Sequence, residues 1–217
     1  MKEIKAVILA ATMAGNAFAG DPYAEQIGGI LQDVGSTNCE IRLGTTNRID
    51  SLIAVLSNRC EIATCKLLKA KLRIECADIT GPEEIYDYAA LGDSTNLCWS
   101  VLNEFSDERT QWQFYGAAML LPLPLSIDSR FDDMFRVATN VLSSASNLNS
   151  VSFETNVWQA LFGQNTLSAE DAQTSFRSLA ASSLLLLDRN ADISAYTNGL
   201  PAHALDVIRS IRSDSEE

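Results

Sequence analysis

The sequence predicts an all-α protein, with about eight short-to-medium helices in an irregular, disulfide-stabilised bundle. Three observations point there. Apolar residues recur at three- and four-residue spacing along most of the chain. Helix start and stop residues bracket those stretches. All five cysteines, Cys39, Cys60, Cys65, Cys76 and Cys98, fall in the first half. The alternative is an α+β protein with a small two-stranded element near 39–43 and 71–76. Cys39, Ile41 and Leu43 alternate in the first of these segments, and Leu72, Ile74 and Cys76 alternate in the second.

The first expected helix opens at Asp21, a good N-cap, with Pro22 in the first helical position and Gly35 at the stop. Its stripe is Ile27, Ile30, Leu31 and Val34, weakened in the middle by Gly28-Gly29. A second helix is expected over 48–57, capped by Asn47 and carrying Ile49, Leu52, Ile53 and Leu56. Residues 61–70 read as helix, and 71–76 are left open between helix and strand. Pro82 is expected to start a short helix that ends near Leu91-Gly92. Asp93 or Ser94 then caps a longer helix with Leu97, Val101 and Phe105 on its face, continuing or restarting through Trp112, Tyr115 and Met119.

Leu121-Pro122-Leu123-Pro124-Leu125 is expected to halt that run, because proline lacks the donor and disfavours helix in the residue before it. This segment also divides the chain into a cysteine-containing half, 20–120, and a cysteine-free half, 126–212. In the second half Asp128 is expected to cap a helix bearing Phe131, Met134, Phe135, Ala138, Val141 and Leu142. A Ser/Asn-rich loop, 143–152, precedes a short helix with Phe153, Val157 and Leu161, stopped by Gly163. Ser168 with Asp171 resembles a capping box and starts a long helix through Leu187. The last helix begins near Pro201 with Leu205, Ile208 and Ile211, and 213–217 reads as a flexible acidic tail.

Residues 1–19 read as a cleavable signal peptide. Lys2 and Lys5 precede an apolar stretch from Ala6 to Gly15, and Ala17-Phe18-Ala19 puts small residues at the cleavage position. Spanning a bilayer takes about 20 apolar residues, so this stretch is too short to be an anchor. The expectation is therefore an exported protein, periplasmic or secreted, without membrane insertion after cleavage. Its net charge is −12, and loss of the leader removes two Lys and one Glu. Nucleic-acid binding needs clustered Lys and Arg to neutralise phosphates, so no nucleic-acid partner is expected. The longest basic cluster is only Lys66, Lys69, Lys71 and Arg73.

In an exported protein, clustered cysteines suggest disulfides. Two bridges and one remaining thiol can be drawn in several ways. If Cys65 and Cys76 share a helix, eleven residues separate them by about 16 Å. A disulfide needs Cα atoms about 4.4–6.8 Å apart, so each would then find its partner elsewhere. The odd thiol is either buried or available to bridge two chains into a disulfide-linked homodimer. Zinc is not expected, since no C-x-x-C occurs and His203 is far from Cys60 and Cys65.

The sharpest local pattern is Asp188-Arg189-Asn190-Ala191-Asp192. It resembles the first half of an EF-hand or dockerin calcium loop, with Asp188, Asn190 and Asp192 as oxygen ligands. Ile193 stands where that loop needs Gly, and Gly199 where its bidentate Glu belongs. Calcium is the one cofactor implied. His203 has Asp206 three residues on, among many serines, which permits a Ser-His-Asp arrangement in space, although no G-x-S-x-G elbow is present. Trp99, Trp112, Phe114, Tyr115 and Trp158 read as core. With no catalytic residue set, the leading expectation is a non-enzymatic helical protein acting through protein contacts or self-assembly. The alternatives are a calcium-responsive binding module and a secreted hydrolase using His203.

Overall fold

The computed structural model describes residues 21–79 and 85–213, and the fold is all-α. The helices are α1 (Pro22–Val34), α2 (Cys39–Ile53), α3 (Arg59–Ala77), α4 (Tyr88–Glu104), α5 (Trp112–Leu120) and α6 (Pro122–Ile127). They continue with α7 (Phe131–Leu142), α8 (Thr155–Phe162), α9 (Ala169–Leu187), α10 (Ser194–Thr197) and α11 (Ala202–Ser213). A 3-10 turn, Ala145–Ser150, lies in the Ser/Asn-rich segment. The expected signal peptide, residues 1–19, lies outside the described residues, as do Pro82 and residues 214–217. Among the described residues no helix is long and apolar enough to cross a membrane.

The two-stranded alternative near 39–43 and 71–76 is corrected, because both segments are helical. Asn38 accepts a hydrogen bond from the Glu40 amide at 2.8 Å, which starts α2 nine residues before the expected 48. Ile41 and Leu43 alternate, yet both point outward, at 47% and 46% exposure. Thr45 and Thr46 are buried instead, with their hydroxyls bonded to the Ile41 and Leu43 carbonyls at 2.9 and 2.6 Å. The alternation in 71–76 has another cause. Helix α3 is packed between α2, α4 and α5, so Leu72 and Ile74 are both buried on a helix covered on more than one side. Among the described residues the strand content is one antiparallel pair of two-residue strands, Asp78–Ile79 with Ile85–Tyr86.

Further boundaries differ for local reasons. Asp87 caps α4, accepting from the Ala90 amide at 3.0 Å, and the helix runs through Gly92 without a break. Ser94 and Thr95 are interior to α4, their hydroxyls bonded to the Ala90 and Leu91 carbonyls. Pro122 does not halt the chain; it occupies the first position of α6, where a missing amide donor costs nothing. Asp128 ends α6 rather than capping α7. Ser129 then adopts a left-handed backbone (φ 55°), and the Arg130 amide bonds back to the Leu125 carbonyl at 2.8 Å. Elsewhere the expected signals operate. Asp21 caps α1, Ser168 accepts from the Asp171 amide at 3.0 Å at the start of α9, and Gly163 (φ 73°) ends α8.

One continuous core extends from Ile30 and Val34 of α1 to Phe176 and Ala180 of α9. Leu121 and Leu125 of the proline segment are fully buried in it. Trp158 is its largest enclosed side chain, edge-on to Trp112 at 5.9 Å and to Phe153 at 4.8 Å. The Tyr115 hydroxyl is satisfied by sharing its one proton between the carbonyls of Arg109 and Ser144, at 3.0 and 2.9 Å. A second, smaller cluster (Ala181, Leu185, Leu200, Ala204 and Ile208) joins the end of α9 to α11.

Candidate functional site

Cys39 is the first residue of α2, and Cys76 is near the end of α3. The α2–α3 packing brings them together, with Cys76 Sγ 4.0 Å from the Cys39 carbonyl and both side chains half-buried. Burial pushes the Cys76 thiol up to about 11, reinforced by contact with the Cys39 thiol and opposed by Arg42. Cys65 and Cys98 are buried within α3 and α4, and each is pushed up to about 12. Burial is the first cause for Cys65, followed by the nearby Glu61 and Glu154, and for Cys98 it is the whole cause. Cys60, half-buried near the start of α3, is also raised, first by burial and against the pull of Arg59.

The calcium candidates serve their own backbone. Asp188 Oδ1 accepts from the Asn190 amide and Asp192 Oδ1 from the Ser194 amide, each at 2.9 Å. The bonds from Ser194 hold the Asp192 carboxyl below its ordinary value. All three side chains are exposed, and no three His, Cys, Asp or Glu side chains converge on a metal position among the described residues. Asp192 instead rims a groove of about 380 Å³ beside Ile193, Leu205, Ile208 and Arg209. His203 is exposed on the first turn of α11, and Asp206 bonds Arg209 at 2.9 Å.

The basic cluster of α3 is spent on ion pairs to its neighbours. Lys69 meets Asp50 of α2 at 2.6 Å, Lys66 meets Glu104 of α4 at 3.8 Å, and Arg73 pairs with Asp93 of α4. Lys71 pairs along the helix with Glu75 at 2.9 Å.

The fold assembles a different basic site, one that sequence reasoning missed. Arg109, Arg130 and Arg136 meet at a cavity of about 330 Å³ walled by Trp99 of α4, Phe114 of α5 and Asn140 of α7. Arg130 and Arg136 share the single carboxylate of Asp133, with Arg130 Nε 2.8 Å from Oδ2 and Arg136 Nη2 2.7 Å from Oδ1. Arg136 also lies 4.7 Å above the Trp99 ring. Arg109 is held by neutral oxygens: the Ser106 carbonyl at 2.9 Å, Ser143 Oγ at 2.6 Å and the Asn140 carbonyl at 3.4 Å. Its guanidinium lies 5.6 Å above the Phe114 ring. The indole Nε1 of Trp99 is buried without a hydrogen-bond partner among the described residues. Arg130 and Arg136 flank Asp133 at three-residue spacing, and the tertiary fold brings Arg109 to them through its bonds to the Asn140 carbonyl and Ser143.

Comparison with known protein families, characterised proteins and solved structures finds no match.

Proposed function

We propose that the chain is exported and acts outside the cytoplasm as a non-catalytic helical module, through contacts with protein partners or with copies of itself. The juxtaposition of Cys39 and Cys76 carries this reading. Two thiols on separate helices, with one sulfur 4.0 Å from the other residue's backbone, suit a bridge formed in an oxidising compartment. Such a bridge ties the start of α2 to the end of α3. Cys65 and Cys98 stay buried as thiols, which leaves half-buried Cys60 as the residue able to bridge two chains. Exposed apolar side chains on the helices of the small C-terminal cluster, Leu186, Leu187 and Val207, support contact as the mode of action.

The test is the intact mass, without reductant, of protein recovered from outside the cytoplasm. Export with one internal bridge gives a chain starting at Gly20 and lighter by about 2 Da, with peptide mapping joining Cys39 to Cys76. A doubled mass mapping to Cys60 identifies covalent self-assembly. A full-length chain with five free thiols, recovered only from the cytoplasm, overturns the proposal.

A further inference from the structure

The geometry points to the cavity between α4, α5 and α7 as a binding site for a phosphoryl dianion, gripped by Arg109, Arg130 and Arg136. The charge pattern comes first. The chain carries −12 overall, yet three arginines line one cavity, and among the described residues Asp133 is the carboxylate ion-paired to them. That leaves a local excess of two positive charges, matching a dianion. Of the nearby carboxylates, Asp107 and Asp132 are exposed and make no ion pair with these arginines, and two glutamates pair elsewhere. Glu104 pairs with Lys66, and Glu108 pairs with Arg59.

Arg109 is the centre of the site. Its Nε and Nη1 are fixed on neutral oxygens, so its orientation is set while its charge stays unneutralised by any carboxylate within ion-pair distance among the described residues. Only its Nη2 hydrogens remain to be offered, as a single charge-assisted contact to a phosphate oxygen. Arg130 and Arg136 approach from α7, positioned by the shared Asp133 and, for Arg136, by the Trp99 face. Asn140 and Trp99 complete the wall. A cavity of about 330 Å³ is at the small end for ligand sites and fits inorganic phosphate or a compact phosphomonoester.

Titration calorimetry of the full chain with inorganic phosphate and with phenyl phosphate tests this, at fixed ionic strength in chloride. Saturable one-site binding with Kd below about 1 mM is expected. Arg136→Gln, at a side chain 61% exposed and thus safe for folding, is expected to weaken binding about tenfold. Arg109→Gln is expected to weaken it at least as much, with native circular dichroism checked because Arg109 also pins the 106–109 turn. Arg209→Gln, on α11, is expected to change nothing. Tighter binding of phenyl phosphate assigns the site to an organic phosphomonoester, and equal or tighter binding of inorganic phosphate assigns it to the free ion. The proposal is overturned if neither probe saturates by about 10 mM. It is equally overturned if the folded Arg136→Gln and Arg109→Gln variants bind like wild type.

Discussion

The Cys98 thiol is enclosed on every side, and burial alone raises it to about 12. In the unfolded chain the same thiol ionises near 8.5. Between those values the unfolded state gives up a proton that the folded state keeps. Folding stability from this group is therefore complete below about pH 8.5 and drains away as pH rises toward 12, by about 1.4 kcal/mol per pH unit. Cys65, also raised to about 12, acts in the same direction. Urea midpoints measured at about pH 8 and pH 10.5 should fall steeply for the wild type and less steeply for Cys98→Ala. Equal falls in both proteins would show that Cys98 ionises without penalty. Single residues also mark how far the site could be read in advance. Cysteine spacing left the pairing open, and the α2–α3 packing brings Cys39 and Cys76 together as neighbouring thiols. Asp188, Asn190 and Asp192 gave a legible pattern, but Asp and Asn also suit local turns, and the backbone uses the Asp188 and Asp192 carboxylates that way. Arg130-x-x-Asp133-x-x-Arg136 is a local pattern that reads as ordinary helix-face pairing, whereas Arg109 has no local link to it, since their meeting is tertiary.

Among the helices, α2 separates local signal from tertiary context most cleanly. Both Asn38 and Asn47 are plausible caps, but only Asn38 bonds a free amide, that of Glu40. Asn47 lies inside the helix with an exposed side chain. Asn38→Ala should therefore lower the unfolding free energy by about 1 kcal/mol, while Asn47→Ala stays within about 0.5 kcal/mol. Paired chemical-denaturation curves check this, and the reverse ranking would place the start of α2 near residue 48. The same contrast explains which elements were legible. Helices α1, α8 and α9 carry a terminal signal beside a one-sided apolar stripe, and they were readable. Helix α3 was only half readable, because burial on several sides erases the 3.6-residue period at Leu72 and Ile74. The Pro122 boundary misled for a positional reason. Proline breaks a helix interior but is well suited to the first turn, and the sequence does not mark which of the two a given proline occupies.

For the molecule as a whole, the buried residues fall into two clusters of unequal size, and this sets how it should come apart. The main core ties α1 through the first half of α9, and holds both Trp112 and Trp158. The second cluster is five residues joining the end of α9 to α11, with Tyr196 touching both clusters. Burying so few apolar side chains offsets the ordering entropy of α10 and α11 only narrowly. The C-terminal helices should therefore open as a unit before the rest unfolds. Amide exchange should report protection in α11 at least about 2 kcal/mol below that of α3. Ile208→Ala, which removes a buried side chain from the small cluster, should lower protection in α11 further. It should leave the denaturation midpoint read by tryptophan emission nearly unchanged, because Trp112 and Trp158 sit in the other cluster. If protection in α3 and the tryptophan midpoint fell together with α11, the two clusters would be one cooperative unit, and α11 would be part of the global fold rather than a segment able to detach from it.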